Sequence, residues 1–159
     1  NHKGKLSTMI YQCANQMLKA DPKLFKYGEQ GRDYIYVKDV VRANLLAAQY
    51  LPSVDTTKNN PTNNIVLNCG GGRAVTFNDI VAILNTVLGT KRKPVYIDNP
   101  FTGNYQEYTQ CKMDNARMML NFTPQFNISA GIQDYYDSGW LVPITLVNEI
   151  KAVATNRIH

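Results

Sequence analysis

No apolar run in the sequence approaches the roughly 18 residues that a membrane-spanning helix needs. The opening stretch Asn1-His2-Lys3-Gly4-Lys5 is basic, but no apolar segment follows it, so it does not read as a secretory signal. Cysteine is scarce: Cys13, Cys69 and Cys111 are odd in number and widely spaced. There is no C-x-x-C pair, and His2 and His159 are poor companions for a metal, so a zinc site is not expected. Reduced thiols in a cytoplasmic protein are the simplest expectation. Asn121-Phe122-Thr123 and Asn127-Ile128-Ser129 match the glycosylation spacing but are discounted without a secretory signal. An aromatic-basic nucleic-acid signature is also lacking, so no nucleic acid partner is expected. The formal charge of +5 then points to a smaller anion, such as a diphosphate-bearing metabolite. Lys91-Arg92-Lys93 is the one basic run, and it reads as a solvated turn.

The 159 residues, 44% of them hydrophobic, suffice for one compact core. Helical spacing of Met9, Ile10, Cys13 and Met17 predicts an amphipathic helix over 6–18, ended by Asp21-Pro22. Short strands are expected over 23–27 and 33–37, separated by the turn Gly28-Glu29-Gln30-Gly31. Asp39 stands where an N-cap would start a helix through Ala48. Residues 52–64 read as a polar surface loop. An apolar strand over 64–69 runs into Gly70-Gly71-Gly72. Thr76 and Asp79 form a capping-box pattern ahead of Ile80, Ile83, Leu84, Val87 and Leu88, and Gly89 closes that helix. A strand over 95–97 and helices over 112–120 and 129–140 follow, with Ser129 as the expected N-cap of the last. Met17, Met113, Met118 and Met119 are expected to fill the core. Alternating strands and helices give an α/β class. The strand over 64–69 needs neighbours, so the chain is expected to complete a sheet whose other strands lie upstream.

Several segments, in one order, resemble the extended short-chain dehydrogenase/reductases. Arg32-Asp33-Tyr34-Ile35-Tyr36-Val37-Lys38-Asp39-Val40 is similar to that family's arginine-aspartate strand signature, and Asn68-Cys69-Gly70-Gly71-Gly72 to its Asn-x-Gly-x-Gly turn. His2-Lys3-Gly4, Lys23-Leu24-Phe25 and the stretch from Gly103 to Gln110 narrow the likeness to the ADP-glycero-manno-heptose 6-epimerases. The resemblance implies that residues 1–140 are the C-terminal, substrate-binding portion of an NAD(P)-dependent nucleotide-sugar epimerase. It implies further that the cofactor turn and a Tyr-x-x-x-Lys pair belong to an upstream half, completing a Rossmann-type sheet. Residues 141–159 extend past the match. Gly70-Gly71-Gly72-Arg73 is not G-x-G-x-x-G, and a tight strand-to-helix connection is the better reading of it.

The resemblance also implies roles. Lys3 would be the second acid/base, beside the NADP (or NAD) cofactor, because inverting a carbinol centre by oxidation and re-reduction needs proton removal and return in two orientations. Arg32 would hold the nucleotide diphosphate with its planar fork. Phe25, Lys26, Tyr27 and Gly28 would surround the nucleotide, and Tyr105 would reach a sugar or phosphate oxygen. Gln12 and Lys5 stand where some relatives have a histidine and a small residue, yet both can hydrogen-bond substrate. The implied activity is inversion at C6″ of ADP-glycero-manno-heptose for lipopolysaccharide inner core, by a cytoplasmic homo-oligomer. A UDP-hexose 4-epimerase or dehydratase, or a non-catalytic nucleotide-sugar binding module, is the alternative.

Overall fold

The computed structural model describes residues 8–50, 65–100, 103 and 105–142. Helix α1 spans Met9–Met17 and is capped by Thr8, whose side chain accepts from the Tyr11 amide. Strand β1 is Lys23–Phe25, followed directly by a single 3-10 turn over Lys26–Gly28. Strand β2 is Gly31–Asp33, and helix α2 is Val37–Gln49. Strand β3, Ala74–Thr76, leads into helix α3, Phe77–Leu88. Strand β4 is Val95–Ile97, helix α4 is Asp114–Leu120 and helix α5 is Ile128–Asp137. The fold is α/β, as expected.

The described strands form two small sheets. β1 pairs parallel with β4, Lys23 opposite Val95 and Phe25 opposite Ile97. β2 pairs antiparallel with β3, Gly31 opposite Thr76 and Asp33 opposite Ala74. Gly31 also bridges in parallel to Tyr108. The main core lies where α1, α3 and α5 meet, with Cys13, Met17, Ile80, Leu84 and Ile132 buried there beside Leu141 and Val142. A smaller cluster, Ala43, Met113, Ala116 and Phe122, joins α2 to α4.

Helix α3 forms as its sequence dictates. The Thr76 side chain accepts from the Asp79 amide at 3.1 Å, the Asp79 carboxylate accepts from the Thr76 amide at 3.2 Å, and Gly89 closes the helix in the left-handed conformation. Ile80, Leu84 and Leu88 fall on its buried face.

Several expectations are corrected. The predicted strand over 33–37 is displaced to Gly31–Asp33, and α2 starts at Val37 with Tyr36 as its N-cap. Asp39 therefore sits inside the first turn. It is buried, and its carboxylate accepts from the Gln125 and Phe126 amides at 2.9 Å each, with Arg42 alongside. Its partners are remote in sequence, so a local reading could not find them. Asn127, not Ser129, caps α5. Residues 65–69 are not a strand, since no described segment pairs with them, and Ile65 and Val66 are exposed. Val37, Val41 and Leu45 on α2 are exposed as well, so the described residues do not supply the sheet neighbour that the sequence anticipates. Met17 and Met113 are buried, but Met118 is 78% exposed. Arg92 is no solvated turn residue: its Nε donates to the Met17 carbonyl at 2.9 Å and so caps the end of α1. The loop over 52–64 lies outside the described residues. Among them no helix is long and apolar enough to cross a membrane, and all three cysteines are free thiols.

Candidate functional site

A cavity of about 380 Å3 opens between α1, β1, the start of α3 and Tyr105. Gln12 and Cys13 line it from α1, Leu24 and Phe25 from β1, with Phe77, Ile97 and Tyr105 on the remaining sides. That volume suits a small-molecule site, and the lining combines aromatic walls with a few polar groups. A second cavity of about 350 Å3 lies between residues 34–37 and α5, but none of its lining side chains is charged.

Cations gather on the rim of the first cavity. The Arg32 guanidinium lies 5.6 Å from the Tyr105 ring centroid and 5.8 Å from that of Phe77, and Lys26 Nζ is 5.9 Å from the Tyr105 centroid. Those separations are within cation–π range, and the pairing steadies long side chains at an aromatic wall. Phe25 meets Tyr105 edge-on, with centroids 6.2 Å apart. Arg32 donates to the Gly31 carbonyl at 2.9 Å and to the Gln106 carbonyl. Those two bonds account for two of its five N–H donors, and the planar fork is matched to a phosphate or carboxylate. Lys26 is paired with Glu107, and that hydrogen bond and charge hold the Glu107 carboxyl below its ordinary range.

The segment carrying Tyr105 is tied to β2. The Gly31 amide donates to the Glu107 carbonyl at 2.9 Å, and the Thr109 amide donates to the Gly31 carbonyl at 3.1 Å. Beyond Arg32, the Asp33 carboxylate accepts from the amides of Gly71 at 2.7 Å, Gly72 at 2.9 Å and Cys111 at 2.8 Å. This settles the glycine turn. A phosphate cradle needs free amides, and two of the turn's amides are spent on Asp33. Packing is also tight there: a Cβ on Gly70 would lie 2.3 Å from Cys111 Cβ, and one on Gly71 would lie 2.4 Å from the Tyr34 carbonyl oxygen.

Of the residues singled out from the sequence, Gln12, Phe25 and Tyr105 line the cavity, and Arg32 and Lys26 stand over Tyr105. Tyr27 and Gly28 do not line it. Lys26, Tyr27 and Gly28 are all left-handed, with φ of 45°, 58° and 73°. Two non-glycine residues in succession there are costly and mark a conformation fixed by its surroundings. Asn78 supplies the fixing: its Nδ2 donates to the Tyr27 carbonyl and to Glu29, each at 2.8 Å, and Gly28 lies against its side chain. Tyr27 is 74% exposed and faces Tyr96, centroids 5.7 Å apart. Lys3 and Lys5 lie outside the described residues.

Tyrosine and lysine four apart occur twice, as Tyr34/Lys38 and Tyr108/Lys112. That spacing brings two side chains together only on a helix. Tyr34 precedes α2, Lys38 pairs with Asp134, and Tyr108 and Lys112 are not in a helix. Neither is a catalytic pair. Sequence reasoning missed Phe77, Glu107 and the Asp33 clamp. Asp33 belongs to the arginine-aspartate signature, but nothing local distinguishes an aspartate that binds amides about forty and eighty residues away.

Residues 1–68 match the NAD dependent epimerase/dehydratase family. The chain is 28% identical over 138 residues to an ADP-L-glycero-D-manno-heptose-6-epimerase of Brachyspira hyodysenteriae, covering 85% of this chain and 40% of that protein. In structure it is similar to the Helicobacter pylori ADP-L-glycero-D-manno-heptose-6-epimerase, with a TM-score of 0.70 and 33% identity over 86% of this chain and 38% of that one. It is also similar to a Thermotoga maritima UDP-glucose 4-epimerase solved with UDP-glucose, with a TM-score of 0.68 and 28% identity over 86% of this chain and 41% of that one. The chain thus spans about 40% of the length of the relatives it matches. Over residues 1–68 the sequence matches the NAD dependent epimerase/dehydratase family, and over most of the chain the fold is similar to that of extended short-chain dehydrogenase/reductase epimerases.

Proposed function

We propose that this chain supplies the nucleotide-sugar pocket of an epimerase that inverts C6″ of ADP-glycero-manno-heptose. One observation carries the reading: Arg32 and Lys26 converge on Tyr105 at the rim of an aromatic cavity. A nucleoside diphosphate sugar needs a cationic fork for its diphosphate, a flat wall for its base and hydroxyl or amide groups for its sugar. Arg32 serves the first need, Phe25 and Phe77 the second, and Tyr105 and Gln12 the third. Lys26, held by Glu107, adds positive charge beside that fork. The heptose assignment is supported by the two heptose-epimerase relatives named above.

The glycine turn does not fit a dinucleotide's phosphates, because Asp33 occupies two of its amides. NADP (or NAD) is therefore assigned to residues outside those described, where it would supply the hydride acceptor for the carbinol. Lys3 is assigned the second acid/base, taking and returning the carbinol proton from the face opposite a tyrosine partner. The active protein is taken to be a cytoplasmic homo-oligomer. A UDP-hexose 4-epimerase is the second reading, supported by the Thermotoga maritima relative. Proton NMR of the full-length gene product with ADP-D-glycero-D-manno-heptose, with UDP-galactose in parallel, separates the two. Inversion of the heptose alone is expected, whereas turnover of UDP-galactose alone contradicts the heptose assignment.

A further inference from the structure

We infer that Asp33 is a positioning residue for this pocket, setting the register in which Tyr105 faces Arg32. The inference rests on the nucleotide-sugar reading of the cavity.

Two chain segments must be held against each other for the site to exist. One is β2, which carries Arg32. The other runs from Tyr105 to Cys111. Backbone bonds join them at one place only among the described residues, where Gly31 donates to Glu107 and accepts from Thr109. A single bridge of this kind fixes position weakly, because one residue of slip exchanges which side chains face the pocket. Asp33 supplies a second anchor two residues along β2, at the far end of the partner segment. One of its oxygens accepts from the Cys111 and Gly72 amides, the other from Gly71. Hydrogen bonds to an ionised acceptor are stronger than neutral ones. Three of them on one carboxylate tie β2, the glycine turn and the Tyr105 segment into one unit.

The clamp also explains the glycines. With Asp33 at these distances, no side chain fits at Gly70 or Gly71, where a Cβ would meet Cys111 and the Tyr34 carbonyl. A second contact closes the loop: Gln110 Nε2 donates to the Gly72 carbonyl at 2.9 Å. Arg32 itself donates to Gln106, next to Tyr105, so slip of the segment breaks that bond and parts the cation from the ring.

The test is a double-mutant cycle on the full-length protein, with ADP as the calorimetric probe. Asp33→Asn keeps the side-chain shape and replaces one acceptor oxygen with a donor. It is expected to weaken ADP binding about tenfold, as small misplacements in a preorganised site do. Tyr105→Ala is expected to weaken it as well, and the double variant no further than the worse single one. Multiplicative losses, or wild-type affinity for Asp33→Asn, overturn the inference. Hydrogen exchange provides a readout that does not depend on the ligand. In Asp33→Asn, fast exchange is expected at Gly71, Gly72 and Cys111 and also at Gly31 and Thr109. Retained protection at Gly31 and Thr109 shows that the register stands without Asp33 and overturns the positioning role. Failure of the unmodified protein to bind ADP removes the nucleotide reading, and the affinity half of the inference with it, while the exchange result still decides the register.

Discussion

The Arg32 guanidinium sits 5.6 Å from the centre of the Tyr105 ring, across 73 positions of sequence, and donates to the carbonyl of the next residue, Gln106. A cation held in this way keeps part of its fork for a ligand while its stem and plane are steadied by protein. Arg32→Ala is therefore expected to lose ADP-sugar affinity by about tenfold or more, with little change in melting temperature. Titration calorimetry with ADP checks this, and an unchanged dissociation constant contradicts the diphosphate role.

Lys3 carries the proposed proton chemistry. Lys3→Ala in the full-length enzyme is expected to cut turnover by on the order of 100-fold while leaving ADP binding within a few-fold. Wild-type turnover removes Lys3 from the mechanism.

Gly28 is demanded twice, by a φ of 73° and by Asn78, whose Oδ1 would lie 2.2 Å from an added Cβ. Gly28→Ala is expected to destabilise the fold by about 1–3 kcal/mol. Chemical denaturation checks this. A companion Asn78→Ala change relieves the collision and is expected to recover part of the loss, and no recovery contradicts the assignment of the strain.

Burial pushes the Tyr34 phenol up to about 12, with Arg32 pulling the other way, and burial with the Asp134 hydrogen bond pushes Tyr36 to about 12. Both folded values lie above the ordinary value of about 10. Their contribution is therefore fully present below about pH 10 and is lost as pH rises toward 12. Ultraviolet phenolate titration is expected to show at least two late-ionising tyrosines, one of them absent in Tyr36→Phe. Ionisation of all tyrosines near the ordinary value contradicts this.

What the sequence made legible was local. The capping box of Thr76 and Asp79, the apolar face of α3 and the stop at Gly89 each depend on residues within a few positions of one another, and all three stand as read. What it hid was remote. Asp39 looks like a cap because it precedes an apolar helical pattern, yet its oxygens serve amides at 125 and 126. Residues 65–69 have strand composition, but a strand exists only with a neighbour, and none of the described segments provides one. Met118 follows the pattern of a core methionine but lies on the outer side of α4, where Ala116 is the residue turned inward. At the site, Arg32, Phe25 and Tyr105 were found through a family resemblance. Phe77 and Glu107 became visible only when the fold brought them beside those residues.

The most direct test of the account is to map where ADP binds, by amide chemical-shift perturbation on the full-length protein. The largest shifts are expected at Gln12, Phe25, Lys26, Arg32, Phe77 and Tyr105. Shifts centred instead on the Gly70–Gly72 turn, or their absence at saturating ADP, would contradict a nucleotide pocket at this cavity.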